Sequence, residues 1–129
     1  MIRRAFTMRL TPGSLAEYKR HHGAIWPELV AEIERQGIAQ ITIFEDDPVL
    51  FLYSEIQDED AWDRLWHTEI HDRWGEVMNP LMEFGPDGIV DSHEVREVFN
   101  LETAPPQAAA ESGGTPVRTS SGSQPESER

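Results

Sequence analysis

The residues best suited to chemistry lie in one short stretch, Tyr18-Lys19-Arg20-His21-His22-Gly23-Ala24-Ile25-Trp26-Pro27-Glu28-Leu29. Tyr18, His22 and Trp26 recur at every fourth position, so a helix would present all three on one side. An imidazole both donates and accepts protons near neutral pH, a phenol offers a hydroxyl, and an indole gives a flat apolar wall. Such a set suits a neutral polyhydroxy ligand and a proton-transfer reaction. The same spacing also fits two core aromatics with a satisfied histidine between them. His21 lies about 100° round the helix from His22 and is expected to face solvent.

A second group is His67-Thr68-Glu69-Ile70-His71. Two histidines at i and i+4 can chelate a metal on one helix face. Here the acid sits in the middle of the five, not directly after the first histidine as in the zinc-protease pattern, and no third ligand is apparent. The expectation is a polar helix face and no metal site. A third feature is Arg73-Trp74, where the indole can stack on a sugar ring or fill the core.

The elements that must position these groups are legible from periodicity. Ile2, Phe6, Met8 and Leu10 share one face of an alternating run, which predicts a first strand. Thr11-Pro12-Gly13 breaks the chain, and Ser14 with Glu17 has the spacing of a capping box at a helix start. Pro27 predicts a break after Trp26 and a second helical piece to Gln36, capped by Gly37. Ile38 to Glu45 and Val49 to Ile56 read as strands joined at Asp46-Asp47-Pro48, a hairpin. Asp58 is placed to cap a helix with Trp62, Leu65 and Trp66, continued by Ile70, Trp74, Met78 and Leu81. After Gly85-Pro86-Asp87-Gly88, Val95 to Leu101 reads as a last strand. The order β-α-β-β-α-β is that of an α+β, ferredoxin-like protomer with helices on one face of an antiparallel sheet. The other face needs cover, which pairing in a dimer would supply.

Bulk properties narrow the function. The chain has 129 residues, enough for one domain with a modest core. A net charge of −13 disfavours nucleic acid and anionic membrane as partners. With no cysteine there is neither a disulfide framework nor a thiolate nucleophile. No run approaches ~18 apolar residues, and the opening MIRRAFTMRL is unlike a secretory signal, so the expected location is the cytoplasm. Residues 103–129 are rich in Pro, Gly, Ser and Ala without an aromatic, which predicts a disordered tail after a domain at residues 1–102.

The sequence resembles the L-rhamnose mutarotase family. The resemblance rests on Met1-Ile2-Arg3-Arg4-Ala5-Phe6, Glu17-Tyr18 through His22, Ile25-Trp26-Pro27-Glu28-Leu29, Arg73-Trp74 and Glu97-Val98-Phe99-Asn100-Leu101, and it spans residues 1–101. It implies a dimeric α/β barrel of ferredoxin-like protomers, without metal or organic cofactor, that interconverts the α and β anomers of L-rhamnose or a related deoxyhexose. It implies His22 as the catalytic acid, with Tyr18 and Trp74 touching the sugar; Trp26 is a further candidate for packing the sugar's apolar face. The sequence departs from the family at Ile41, where members can carry tyrosine, and at Gly75, where they can carry a second tryptophan. Both departures bear on which deoxyhexose is accepted. Two other readings stand on the same barrel: a cofactor-free monooxygenase or haem-degrading enzyme, and a sugar-binding module without turnover.

Overall fold

The computed structural model describes residues 1–104. One compact unit spans Met1–Val98. A second begins at Phe99, and its described residues, 99–104, form no helix or strand. From residue 105 onward the expected tail lies outside the described residues.

The first unit runs β1 (Ile2–Arg9), α1 (Leu15–Gly23), α2 (Pro27–Arg35), β2 (Ile38–Asp46), β3 (Val49–Ile56), α3 (Ala61–Trp66), α4 (Glu69–Met78), a short 3-10 turn (Asn79–Leu81) and β4 (His93–Val95). The strands form one antiparallel sheet in the order β2-β3-β1-β4. This is the ferredoxin-like arrangement that the element order predicts.

Strand alternation divides the sheet into two chemically different faces. Met8 and Ile43 pack against a core cluster that holds Leu10, Leu50, Leu29 and Met78. Ile2 and Ile41 pack against a second cluster of Ile38, Ile56, Ala61 and Leu65. The intervening residues form the opposite face, where Thr7 stands across from Phe51 and Phe51 from Phe44. There Phe44 is 61% exposed, Phe51 42% and Val95 44%.

Local chemistry sets the breaks. Pro27 opens α2 at its first turn, where the missing N–H costs nothing, so α1 and α2 are separate helices. Gly37 ends α2 with φ +91, a conformation that other residues adopt at a cost. Helix α1 begins after Ser14, but without a capping box. The Ser14 hydroxyl pairs with Thr11 Oγ1 at 2.5 Å, and Glu17 turns to Arg20 and His21. Asp58 sits two residues before the N-cap it was predicted to be, accepting from the Asp60 N–H and from Arg64, while Asp60 is the N-cap of α3. The predicted continuous helix is broken at His67-Thr68, and Thr68 caps α4 by accepting from the His71 N–H.

The last strand is shorter and earlier than the predicted Val95–Leu101. Its register sets Val95 opposite Ala5 and His93 opposite Thr7. Continued, that register would reach the start of β1 near Val98, but the ladder stops at Val95. Val98 is 96% exposed. Beyond Val95 a side-chain pair takes over from the ladder, with Arg3 Nε and an Nη each donating to Glu97 at 3.0 Å. A parallel fork joins Arg4 to Glu94 at 2.8 and 2.7 Å. Among the described residues no helix is long and apolar enough to cross a membrane.

Candidate functional site

Between the packed face of the sheet and the helices lies a cavity of about 880 Å³, within the range usual for small-ligand sites. Helix α1 contributes Tyr18 and His22 to its wall, α4 contributes His71, Trp74 and Gly75, and the sheet contributes Met8, Ile41 and Leu52. Most of the lining is apolar, with a few convergent polar groups.

His22 is held from three sides. Its Nδ1–H donates to the Tyr18 carbonyl at 3.0 Å. The Tyr18 ring stacks on the imidazole at 4.2 Å and 30°, and Trp74 meets it edge-to-face at 5.3 Å. The bond to a carbonyl fixes the tautomer, because a carbonyl can only accept. Nε2 is therefore the nitrogen left to exchange a proton with a ligand. Burial lowers the His22 pKa; the bond to Tyr18 works against that shift and neighbouring His21 adds to it. The resting imidazole is thus neutral near pH 7, with a bare Nε2 that accepts.

Tyr18 is buried, and its pKa is pushed up to about 12 by that burial. It stays protonated and serves as a neutral hydroxyl. No hydrogen bond engages this hydroxyl among the described residues.

Trp26 does not line the cavity. It stands behind Trp74, edge-to-face at 5.1 Å, and braces the indole that does. The spacing of Tyr18, His22 and Trp26 assumes one helix, but α1 ends at Gly23 and Trp26 is the N-cap of α2 with extended backbone. The chain turns between His22 and Trp26, so the two side chains flank Trp74 instead of continuing one row.

The His67/His71 pair is separated by the same kind of break. His67 Nδ1–H donates to the Asp63 carbonyl at 2.8 Å from the end of α3, and its side chain is 73% exposed. His71 belongs to the first turn of α4, rests on Trp66 at 4.4 Å and lines the cavity. Burial lowers its pKa, against a raising effect of Asp72. Among the described residues no group of three or more His, Cys, Asp or Glu is placed to hold a metal ion.

Two aromatic wall residues, Trp62 and His71, carry no site signal of their own in the sequence. Trp62 was legible only as a helix aromatic, yet it lines the cavity while its Nε1–H donates to Ser54 Oγ at 2.9 Å. His71 was read only as half of a chelate. The available signal was its spacing from Trp74, Gly75 and Met78, at i+3, i+4 and i+7 on one helix face. Ile41 and Gly75, the two departures noted in the sequence, both line the cavity.

Comparison with known proteins places the chain in a family. The L-rhamnose mutarotase family profile matches residues 3–101. An L-rhamnose mutarotase from Clostridium beijerinckii is 39% identical over 104 residues, which is 79% of this chain and all of the relative. One from Escherichia coli is 40% identical over 103 residues, covering 78% of this chain and 99% of the relative. The crystal structure of an L-rhamnose mutarotase from Formosa agariphila superposes with a TM-score of 0.69 at 31% identity, over 79% of this chain and all of that one. An antibiotic biosynthesis monooxygenase superposes with a TM-score of 0.54 at 16% identity, a likeness of fold alone. Matched over its whole folded unit by that profile and by full-length relatives, this chain belongs to the L-rhamnose mutarotase family.

Proposed function

We propose that this mutarotase exchanges the anomers of L-rhamnose or a closely related deoxyhexose, with His22 as the proton-transfer group and Tyr18 and Trp74 as sugar contacts. The observation that supports this most directly is the neutral, tautomer-fixed His22 on the wall of a mostly apolar cavity.

Mutarotation needs one proton removed from the anomeric hydroxyl and one delivered to the ring oxygen. Both oxygens are bonded to C1, so one nitrogen can reach both. Nε2 of His22 accepts the proton of the anomeric hydroxyl, that oxygen becomes the aldehyde carbonyl, and the C1–O5 bond breaks. The same Nε2–H then protonates O5. After rotation about C1–C2 the C5 hydroxyl returns its proton to Nε2 while attacking the other carbonyl face, and Nε2–H restores the anomeric hydroxyl. The imidazole begins and ends neutral, and the steps are general acid–base transfers of the kind an imidazole performs.

The Tyr18 hydroxyl accepts or donates one sugar hydrogen bond, and Trp74, braced by Trp26, packs the apolar sugar face. Proton NMR tests the activity. Saturation of one anomer's H1 signal should transfer to the other anomer faster with enzyme than without. No enzyme-dependent transfer across a deoxyhexose panel would refute the reading, and oxygen consumption or a haem spectral change would favour the monooxygenase alternative.

The proposal extends to assembly. The exposed Phe44, Phe51 and Val95 lie on the sheet face opposite the helices, an apolar surface of the kind that pairs two sheets. A structural neighbour described as a dimeric ferredoxin-like protein superposes with a TM-score of 0.53 at 12% identity. A two-fold homodimer through this face leaves each cavity whole, since the cavity lies between the other face of the sheet and the helices.

A further inference from the structure

The five histidines of the chain differ in how their rings are held. His21 meets Glu17 at 3.4 Å, His22 the Tyr18 carbonyl, His67 the Asp63 carbonyl and His93 the Asp91 carboxylate at 2.9 Å. His71 alone has neither ring nitrogen engaged among the described residues. It is half-buried nonetheless, and its ring contact is with Trp66. A half-buried polar group without a partner is costly unless a ligand or water supplies one.

Its surroundings say what that partner is. His71 lies one turn before Gly75 on α4, and both line the cavity that His22 lines. A Cβ built on Gly75 would meet nothing within 4 Å, so the helix surface beside His71 opens onto free space. Trp74 and Met78 of the same helix make most of the wall there apolar, with Asn79 the polar group one turn beyond Gly75. An uncommitted imidazole beside open space in a mostly apolar wall is a site for one hydroxyl.

We infer that His71 is a substrate-binding residue that hydrogen-bonds a sugar hydroxyl in a subsite left open at Gly75. The inference rests on the mutarotase reading of the cavity and adds a specificity determinant to it. In this role His71 fixes which sugars bind and leaves proton transfer at C1 to His22. The ring serves as donor or acceptor according to tautomer, so either lone pair or proton of the hydroxyl satisfies it.

The test compares wild type, His71→Leu and His71→Gln by anomer-exchange NMR, with thermal melts to confirm folding. The probes are L-rhamnose, L-mannose, which adds a hydroxyl at C6, and the monodeoxy analogues of L-rhamnose. For the sugar that wild type exchanges fastest, His71→Leu should raise KM about five- to tenfold, the scale of one neutral hydrogen bond, and leave kcat within about twofold. His71→Gln, which keeps a donor and an acceptor, should recover most of that loss. The His71→Leu penalty should vanish for the one analogue that lacks the recognised hydroxyl. A KM unchanged within about twofold for every sugar would overturn the inference. So would a kcat loss as large as that of His22→Ala at constant KM, which would make His71 a proton-transfer group. Absence of exchange by wild type would defeat the mutarotase reading itself, a result distinct from exchange that ignores His71.

Discussion

The Nδ1–H of His22 is committed to the Tyr18 carbonyl, so the proposed proton transfer runs through Nε2 of a resting neutral imidazole. His22→Ala should cut enzymatic exchange by roughly 100-fold or more, after subtraction of the spontaneous reaction. His21→Ala should do far less, because that ring turns to Glu17. Tyr18→Phe should fall between them, since the ring stacked on His22 remains and only the hydroxyl is lost. Wild-type kcat/KM should fall as pH drops below the His22 pKa, which lies under the ordinary 6.5, and hold level above it. That acid limb should be absent from the residual rate of His22→Ala; a limb that survives would assign it to another group.

Burial lowers the pKa of both His22 and His71, so the unfolded chain takes up protons first as pH falls below 6.5. Stability is then full above 6.5 and is lost as pH falls through the folded values. Melting temperature should decline from pH 7.5 to 5.5, and His22→Gln/His71→Gln should flatten that decline. Glu94 and Glu97 act in a separate window, because bonds from Arg4 and Arg3 hold their carboxyls below 4.5.

Among elements, β3 is tied to its neighbours by a buried polar relay. The Trp62 Nε1–H donates to Ser54 Oγ, and the Ser54 hydroxyl donates to the Arg4 carbonyl at 2.8 Å. Ser54 is fully buried, so Ser54→Ala leaves the Trp62 donor without a partner. It should cost about 1–3 kcal/mol, read as a melting point lower by roughly 4–8 °C per kcal/mol. Gly75 sits inside α4 with room for a Cβ. Gly75→Ala should stabilise the protein by about 0.5–1 kcal/mol, because alanine loses less backbone entropy in a helix. A lower melting point would show that the open space beside Gly75 is filled in solution.

For the whole molecule, the proposed homodimer forms through the open sheet face. Light scattering should give about twice the protomer mass, and Phe51→Asp should shift the population to monomer, because it places a charge on the apolar face. If Phe51→Asp remains dimeric at full activity, the interface lies elsewhere.

The alternations of β1 and of the β2–β3 hairpin, with the stops at Pro27 and Gly37, are local preferences of backbone and side chain. They could be read along the chain and were enough for the ferredoxin-like order. The Tyr18–His22 pair was also legible, because α1 holds both residues one turn apart. Where the reading failed, distant partners decided. Beyond Val95 the Arg3–Glu97 side-chain pair takes the place of the ladder, and Thr11 takes the Ser14 hydroxyl that would have capped α1. The separation of Trp26 from the cavity, the parting of His67 from His71 and the placing of Trp62 on the wall arise from breaks between helices and from packing on the sheet. Spacing in sequence gives a side chain's direction only while one helix continues. Across a break, burial against residues far along the chain chooses the direction, and that choice belongs to the tertiary structure.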